Sequence, residues 1–376
     1  MNLLFACYDY FPHGGQQRNC LKIAQKCAAA EHNVTICTRT WEGNKPEGIK
    51  IESLGSKGWS NADRNQNFIN GMTQLVAERK FDGVIAFKKM PGLDVYFASD
   101  PCFEAKFRSN KKWLGRLTRR YRLYRRWEEA VFAKGQRTQI LLITDREVPL
   151  YQEIYGTELE RFHLLPPNID RRSFSDCDRE SARMAKRKEL GLAAEATLLL
   201  MVGSGFRTKG VDRAIEGLAP LNSPGGSQAH LVVVGHGKAE SYARLAKSLG
   251  VSNRVHFLGG RTDVLEWMLA ADLLVHPART ENTGTVLLEA MVSGLPLLVS
   301  DVCGYAFHIE KAEAGCLVPS PFTQERFNRL LQETVHSPNL AQWRANGLRY
   351  AATEDLYSCH EKACGLIEKF IAEKSR

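Results

Sequence analysis

Short apolar runs alternate with amphipathic segments along the whole chain. In the first half, runs rich in Val, Ile and Leu predict strands at Asn2–Tyr8, Val34–Thr38, Ile49–Leu54, Gly83–Phe87, Tyr96–Ser99 and Ile140–Thr144. In the second half they predict strands at Thr197–Val202, Leu231–Val234, Val255–Leu258, Leu273–His276 and Leu295–Ser300. Helices are predicted at Gln16–Ala30, Asn65–Arg79, Val211–Leu218, Ala239–Leu249, Thr285–Val292 and Gln324–Val335, and again from Leu340 onward. This alternation is typical of doubly wound α/β structure.

The length of the chain and one proline-rich segment together predict two domains. A chain of 376 residues exceeds the usual size of a single hydrophobic core. Two consecutive prolines interrupt the segment Leu165–Asp170, and a polar run continues from there to Ala182. We place the interdomain linker here. The prediction is one domain over residues 1–168, a second over residues 169–355, and a C-terminal helix over residues 356–376.

The composition is that of a globular protein, with 44% hydrophobic and 25% charged residues. Its ten cysteines are scattered and form no C-x-x-C pair, which indicates a reducing compartment. The N-terminus has neither a basic start nor a cleavage site, so we interpret it as a first strand and not as a signal peptide. Because no apolar run approaches the length of a membrane span, a cytoplasmic location is expected.

The segment His276–Tyr305 holds two glutamates, Glu281 and Glu289, eight positions apart. Gly284 lies where a helix would begin, so Glu281 would project just ahead of the free backbone N–H groups, and Glu289 would follow on the same helix. A carboxylate only accepts hydrogen bonds, and at the edge of a cleft it can bind two neighbouring sugar hydroxyls. The alternative is an ordinary helix start with solvated acids, which the spacing alone favours.

Two glycine-containing loops are candidate phosphate sites, because each follows a strand and opens a helix. Gly14 and Gly15 form the first loop, although a simple turn is the default interpretation of a glycine pair. The loop is not the G-x-G-x-x-G fingerprint, which disfavours a nicotinamide cofactor. The second loop, after the strand that ends at Val202, carries Arg207 and Lys209 where a diphosphate would need cations. A solvated loop is the alternative for this pair.

Asp100 ends a predicted strand, and a carboxylate at the carboxyl end of a parallel strand points to where α/β sheets bind ligands. A helix N-cap is an equally good interpretation of Asp100. Asp176-Cys177-Asp178 has the form of a D-x-D metal motif, but it lies in the polar linker and not at a strand end. We interpret it as solvated linker and predict no metal site and no cofactor.

Between Lys106 and Arg126 there are ten Lys and Arg residues and no acid, whereas the whole chain has a formal net charge of +9. Leu114, Leu117, Tyr121 and Tyr124 fall at helical spacing, followed by Trp127 or Val131. A basic amphipathic helix with aromatic residues predicts binding to an anionic membrane surface. The predicted membrane-binding residues are Lys111, Lys112, Trp113, Arg116, Arg119, Arg120, Arg122, Arg125 and Arg126. Nucleic acid is disfavoured as the partner because no nucleic-acid-binding motif accompanies the charges. The alternative is that the apolar residues of this helix only pack in the core of the protein and the arginines are solvated.

The Glu-x7-Glu pattern, preceded by D-L-L-V-H-P and followed by E-A-M-V-S-G-L-P-L-L-V-S, resembles the nucleotide-sugar site of retaining glycosyltransferases of the GT-B fold. Further segments, Y-F-P-H-G-G-Q-Q-R, M-P-G-L-D-V-Y-F-A-S-D, S-G-F-R-T-K-G-V-D-R and V-C-G-Y-A, resemble the lipopolysaccharide core heptose glucosyltransferases within that family. The similarity covers nearly the whole chain. It implies two Rossmann-like domains that face each other across a cleft, with the C-terminal helix returning to the first domain.

The resemblance also implies an activity and roles for residues. The implied reaction is transfer of an α-1,3-linked glucose from UDP-glucose to a lipid-anchored inner-core heptose, with retention, at the cytoplasmic face of the inner membrane. The implied catalytic residues are Asp100, Lys209 and Glu281. The implied substrate-binding residues are Gly14, Gly15, Arg172, Arg207, Asn282, Thr283, Gly284, Thr285 and Glu289. Arg171 is an alternative to Arg172 as a ligand of the diphosphate.

One departure from the family pattern leaves the donor open. The glucosyltransferases tend to carry small apolar residues between Glu281 and Gly284, whereas this chain has Asn282 and Thr283. Because polar side chains can select a particular hydroxyl or a 2-acetamido group, the donor is UDP-glucose, UDP-GalNAc or another UDP-hexose. Two other functions stay open at this point: a UDP-sugar epimerase with the same fold, and a non-catalytic membrane-binding scaffold.

Overall fold

The computed structural model describes residues 1–12, 14–55, 57–109, 113–170, 178–222 and 229–374, with the backbone alone at positions 109, 113, 114 and 222. The chain divides into two compact units. The first unit is Met1–Pro166 together with Ser358–Arg376, and the second is Pro167–Tyr357. Each unit is built on a parallel sheet, which confirms the predicted doubly wound α/β class.

The first unit has a seven-stranded parallel sheet in the order β5-β3-β1-β6-β7-β8-β9. Its strands are β1 (Asn2–Ala6), β3 (Asn33–Thr38), β5 (Ile49–Ser53), β6 (Gly83–Ala86), β7 (Val95–Ala98), β8 (Gln139–Leu142) and β9 (Phe162–Leu164), and a separate pair is formed by β2 (Asp9–Tyr10) and β4 (Thr40–Trp41). Its helices are α1 (Gly15–Ala29), α2 (Asn61–Glu78), α3 (Phe103–Ser109), α4 (Arg119–Phe132) and α5 (Val148–Tyr155), with short 3-10 segments at Trp113–Leu117 and Leu159–Arg161.

The second unit has a six-stranded parallel sheet in the order β12-β11-β10-β13-β14-β15. Its strands are β10 (Thr197–Val202), β11 (Ala229–Val234), β12 (Val255–Gly259), β13 (Leu273–His276), β14 (Leu297–Ser300) and β15 (Gly315–Val318). Its helices are α6 (Arg179–Glu189), α7 (Phe206–Lys209), α8 (Val211–Leu218), α9 (Glu240–Ser248), α10 (Val264–Ala270), α11 (Thr285–Val292), α12 (Ala306–Ala312), α13 (Gln324–Val335) and α14 (Leu340–Thr353). Several strands are buried on both faces, which explains their near-continuous runs of Val and Leu.

The last helix, α15 (Cys359–Lys374), belongs to the first unit and packs against α1. Its buried side chains include Ile367 and Ile371, which join a core cluster with Leu3 and Phe5 of β1. His32 and Glu368 lie 2.8 Å apart (Nε2 to Oε1), which adds a polar contact between α15 and the loop after α1. The first unit therefore draws part of its core from the far end of the chain.

In both sheets the strand order reverses direction at one point. In the first unit the reversal lies between β1 and β6, and in the second unit between β10 and β13. Open α/β sheets bind ligands beyond the carboxyl ends of the strands at such switch points. A ligand-binding site is therefore expected in the loops that follow these four strands.

Two expectations from the sequence are wrong in detail. The apolar pattern missed β2, β4, β9 and β15, which are strands of two to four residues. The basic segment is not one continuous helix, because α3, the 3-10 segment and α4 divide it. The Thr118 hydroxyl accepts the Tyr121 amide at 3.2 Å, and this capping bond starts α4 at Arg119.

Candidate active site

Two loops meet at the switch point of the second unit. One follows β10 and contains α7, and the other follows β13 and leads into α11. Gly210 permits their close approach, since its φ is +75° and a Cβ there would lie 2.1 Å from the Pro277 carbonyl oxygen. Gly203 lies under the side chain of Lys209, where a Cβ would be 3.0 Å from Cε. These glycines make room for the lysine at the carboxyl end of the sheet.

Lys209, Glu281 and His276 form a cluster between these loops. The Lys209 ammonium donates to Glu281 Oε2, and His276 Nε2 lies 3.3 Å from the same oxygen. The side chains of Lys209 and Glu281 are 19% and 14% exposed, and His276 is fully buried. Burial alone would raise the pKa of Glu281, but the hydrogen bond from His276 and the charge of Lys209 outweigh it and lower that pKa to about 2. Glu281 is therefore an ionised carboxylate at neutral pH.

An arginine ties the two loops together. Both terminal nitrogens of Arg279 bind the Asp212 carboxylate, at 2.8 and 2.7 Å, and one of them also donates to the Arg207 carbonyl at 2.9 Å. The Arg279 backbone amide donates to the Thr208 carbonyl at 2.8 Å. Arg213 adds bonds to the carbonyls of residues 277 and 278. Such a bidentate pair fixes relative orientation as well as distance, so it holds Lys209 beside Glu281.

The start of α11 collects the other residues predicted to bind the sugar nucleotide. Gly284 precedes the helix with a φ of +83°. Asn282, Thr283, Thr285 and Glu289 are half-buried along this span. The loop is held by the segment before α12: Glu281 pairs with Cys303 in a parallel bridge, and the Tyr305 amide donates to the Thr283 carbonyl at 2.8 Å. A Cβ at Gly304 would lie 1.9 Å from the Asn282 carbonyl oxygen, so the two segments are in direct backbone contact.

In the first unit, Asp100 follows β7 and pairs with Lys88, whose ammonium lies 2.8 and 3.0 Å from the two carboxylate oxygens. The helix cap weighed for Asp100 is provided by Glu128 instead. This fully buried carboxylate accepts the amides of Phe103 and Glu104 at 2.8 and 3.0 Å. It also pairs with the Lys89 ammonium at 2.5 Å. Asp100 is thus oriented by a cation and not by a helix end.

Gly14 and Gly15 lie at the start of α1, with Gly14 as the residue before the helix. Among the described side chains none caps this end, and a Cβ at Gly15 would meet no described atom within 4 Å. The Gln16 side-chain amide donates to the Phe87 carbonyl and to Ser99 Oγ, the latter at 2.6 Å. The beginning of α1 is therefore tied to the loops that follow β6 and β7, as the switch-point topology requires.

The remaining predicted residues are either outside the described part of the chain or make other contacts. Arg171, Arg172, Asp176 and Cys177 lie outside the described residues. Asp178 accepts the Ser181 amide at 3.0 Å and caps α6. The Arg207 side chain is exposed on α7 and is absent from the Lys209–Glu281 cluster.

The basic segment divides into exposed charges and a partly buried stripe. Arg116, Arg119, Arg120, Arg122, Arg125 and Arg126 are exposed, Lys111 and Lys112 lie outside the described residues, and Trp113 is described by its backbone alone. Tyr121, Trp127 and Val131 are buried core residues, whereas Leu117 is 74% exposed. Among the residues that the structure describes, no helix is long and apolar enough to cross a membrane.

The sequence patterns did not single out His276, Arg279, Asp212, Lys88 or Glu128. His276 carried a usable signal, because a histidine directly before a proline at the end of a buried strand lies at the ligand-binding edge of the sheet. The partners of the other four are distant in sequence, so no local pattern marks them.

Two doubly wound units, with Lys209 and Glu281 paired at the switch point of one of them, define an α/β protein with a candidate ligand site beyond the carboxyl ends of its strands. The family model described as glycosyl transferases group 1 matches residues 182–349. The chain belongs to this family, has the GT-B fold, and is a glycosyltransferase.

Particular relatives narrow the comparison. The chain is 43% identical to the lipopolysaccharide glucosyltransferase WaaG of Escherichia coli (strain K12) over 98% of both chains. It is 25% identical to a D-inositol 3-phosphate glycosyltransferase of Jonesia denitrificans, over 81% of this chain and 79% of that protein. Among solved structures, that of WaaG, a glycosyltransferase involved in lipopolysaccharide biosynthesis, superposes with a TM-score of 0.86 and covers 97% of this chain and 99% of that chain.

Proposed function

We propose that this glycosyltransferase moves a hexose from a UDP-sugar to a heptose of the lipopolysaccharide core, through an α-1,3 linkage and with retention of configuration. The observation that carries the proposal is the Lys209–Glu281–His276 cluster beside the start of α11 at the switch point of the second unit. The 43% identity to E. coli WaaG supports lipopolysaccharide as the acceptor.

In the proposed reaction the second unit binds the donor. The diphosphate takes the Lys209 ammonium as its counter-ion, together with an arginine (Arg207, Arg171 or Arg172) and the free N–H groups of α11. Glu281, then released from Lys209, accepts hydrogen bonds from the sugar hydroxyls, and Glu289 accepts those of the ribose. Charge that develops on the leaving phosphate is stabilised by groups already in place.

The proposed bond changes need no covalent intermediate. The bond between the anomeric carbon and the phosphate oxygen breaks, and a new bond forms to the acceptor oxygen on the same face of the sugar. The acceptor proton passes to the departing diphosphate. Asp100, oriented by Lys88, binds the acceptor hydroxyl in this scheme, and the glycines at the start of α1 let a phosphate approach the backbone.

Because the proposed acceptor is anchored in a membrane, we propose that the exposed arginines of the basic segment bind the anionic surface of that membrane. Each basic residue near an anionic leaflet contributes about 1 kcal/mol, so half of the set suffices for reversible attachment to the cytoplasmic face of the inner membrane. High salt would weaken this attachment by screening.

Purified enzyme mixed with one UDP-sugar at a time and heptose-terminated lipopolysaccharide tests the proposal. UDP-glucose, UDP-galactose, UDP-GlcNAc and UDP-GalNAc are compared by UDP release and by the mass gained by the acceptor. A gain of one hexose or one N-acetylhexosamine names the donor and reports on Asn282 and Thr283. Conversion of one UDP-sugar into another without acceptor would contradict transfer and identify an epimerase. The anomeric configuration of the product, read by NMR, decides retention.

A further inference from the structure

Trp59 is a large apolar side chain that is fully exposed, directly before α2. Leu117, also largely exposed, lies just before α4. Solvent-exposed tryptophan is uncommon in a folded protein, because the ring keeps a large apolar surface in water. Neither side chain belongs to the core clusters of the first unit.

The starts of these two helices are joined by an ion pair. Asp63, in the first turn of α2, accepts a charge-assisted bond from Arg119, the first residue of α4. Asp63 also completes a capping box with Ser60, which donates its backbone amide at 3.1 Å and accepts the Asp63 amide at 3.2 Å. The Asp63 carboxylate thus holds both Ser60, which follows Trp59, and Arg119, which lies two positions after Leu117.

Contacts further along the same helices make this arrangement rigid. The Trp127 indole N–H donates to Gln66 at 3.3 Å, and the Asn65 amide donates to the Tyr124 hydroxyl at 3.3 Å. The loop before α2 is also pressed onto the helix, since a Cβ at Gly58 would lie 2.7 Å from the Arg64 backbone nitrogen. Trp59 and Leu117 are therefore presented by neighbouring, fixed helix starts.

Basic residues predominate around these two side chains. Lys57 and Arg64 lie within five residues of Trp59, and Arg116 and Arg120 lie within three residues of Leu117. Arg116 also lies 3.6 Å from the buried carboxylate of Glu104, which Arg108 binds at 2.9 Å. The acid between them, Asp63, is already paired with Arg119. Two exposed apolar side chains within a basic surround are complementary to the interface of an anionic bilayer, where tryptophan sits at the level of the headgroups.

We propose that Trp59 and Leu117 form an apolar anchor that enters the interfacial layer of an anionic membrane, with Lys57, Arg64, Arg116 and Arg120 binding the lipid phosphates around it. The anchor rests on the proposed membrane attachment and extends it from the basic segment to the start of α2. An acceptor sugar stacked on Trp59 is the competing occupant. It explains Leu117 less well, because this side chain offers no hydrogen bond to a saccharide.

Co-sedimentation with phosphatidylcholine vesicles, with and without 30% phosphatidylglycerol, tests the anchor. Trp59→Ala is expected to weaken binding to the anionic vesicles about tenfold, with Leu117→Ala smaller and the double variant larger, since binding scales with the apolar area buried. The matched control is Met184→Ala, which removes an exposed apolar side chain from the second unit. Thermal unfolding is expected to be unchanged in all of these variants, because the side chains are exposed.

Three results would overturn the anchor in distinguishable ways. A wild-type protein that does not bind anionic vesicles would contradict both the anchor and the proposed membrane attachment. Wild-type binding that Trp59→Ala reduces no more than Met184→Ala would reject the anchor alone. Normal vesicle binding by Trp59→Ala, with a raised KM for a lipid-free core oligosaccharide, would assign the ring to the sugar acceptor instead.

Discussion

Glu281 binds a cation and a histidine with one carboxylate oxygen, although it reaches them from a loop and not from a regular element. The ion pair holds the Lys209 ammonium and the Glu281 carboxylate at the switch point of the second unit. In the proposed reaction a diphosphate would replace Glu281 as the counter-ion of Lys209, so both groups are already near the positions in which they would act. The loop geometry that secures the pair is thus as important as the two charged residues.

Replacing Glu281 by Gln is expected to lower kcat by about 10²–10³-fold, the usual loss when one preorganised polar group is removed from a site. The substitution leaves Lys209 partly buried without its counter-ion, and loss of one partner of a buried pair costs about 3–5 kcal/mol, less here because both groups retain some exposure. Steady-state kinetics and urea unfolding measure the two effects. Glu310→Gln, on the exposed face of α12, is the control.

The low pKa of Glu281 sets the pH range of this effect. Since the folded-state pKa, about 2, is below the unfolded value of about 4.5, the charged form stabilises the fold fully above pH 4.5 and loses that contribution as the pH falls towards 2. Protonation of Glu281 is therefore expected to cause no decline in the rate of the wild-type enzyme between pH 5 and 8. An acid limb near pH 6 that disappears in Glu281→Gln would contradict the assignment.

Arg279 is expected to act as a positioning residue for Lys209. Lysine cannot reproduce the two parallel bonds to Asp212, so Arg279→Lys is expected to lower kcat/KM about tenfold. Asp212→Asn should have a similar effect, and the double variant should be little worse than either. A coupling energy of about 0.5–3 kcal/mol between the two substitutions in this double-mutant cycle would confirm that Arg279 and Asp212 act as a pair. Purely additive losses would show that the two residues act separately.

At the level of elements, backbone contact between loops explains why particular positions are glycine. Gly304 touches the Asn282 carbonyl directly, so the segment before α12 acts as a support for the loop that carries Glu281. Gly365, in contrast, lies in α15, where a Cβ would meet nothing within 4 Å. Gly365 therefore serves as the control position for a substitution at Gly304.

Gly304→Ala is expected to displace the Glu281 loop and to reduce both activity and stability, by about 1–3 kcal/mol for an overpacked contact. Gly365→Ala is expected to leave activity unchanged and to stabilise the protein by up to about 1 kcal/mol, because alanine is the better helix former. Thermal unfolding and donor turnover measure both. An active, stable Gly304→Ala variant would show that the support is dispensable.

Element boundaries could be predicted where apolar pattern and turn residues agree. The bounds of β10, β13, α8, α11 and α13 match those predicted, because each is a strongly patterned run. β10, β13, α11 and α13 end at Gly, Pro or a polar residue, and α8 begins after Gly210. The continuous basic helix was wrong, since a hydrophobic period persists across a break when successive short helices pack on the same core. The two-residue strands β2 and β4 are too short to show any period.

At the level of the whole molecule, the first unit is closed by α15, which is more than 190 residues distant in sequence from the rest of that unit. Ile367 is fully buried there against the core of β1 and α1. The core of the first unit is therefore complete only when the last helix of the chain is in place.

Ile367→Ala is expected to destabilise the first unit by about 2–5 kcal/mol, the usual range for a buried isoleucine. Limited proteolysis should then cut within the first unit before the second, and urea unfolding should show an earlier transition. The exposed Lys369→Ala substitution on the same helix is the control. Equal loss of protection in both units would mean that they unfold together.

The sequence by itself was enough to determine the α/β class and the family resemblance, and to predict Lys209, Glu281 and Asp100 as site residues, because strand periodicity, glycine loops and the spaced glutamates are local features. Only the tertiary structure decided which of these residues meet. Lys209 reaches Glu281 because β10 and β13 are neighbours in the sheet, and Asp100 reaches Lys88 because β6 and β7 are. Arg279 and Glu128 gain their roles in the same way, from partners whose distance along the chain hides the contact. His276 lies only five residues before Glu281, but the fold of the loop between them decides that the two side chains meet.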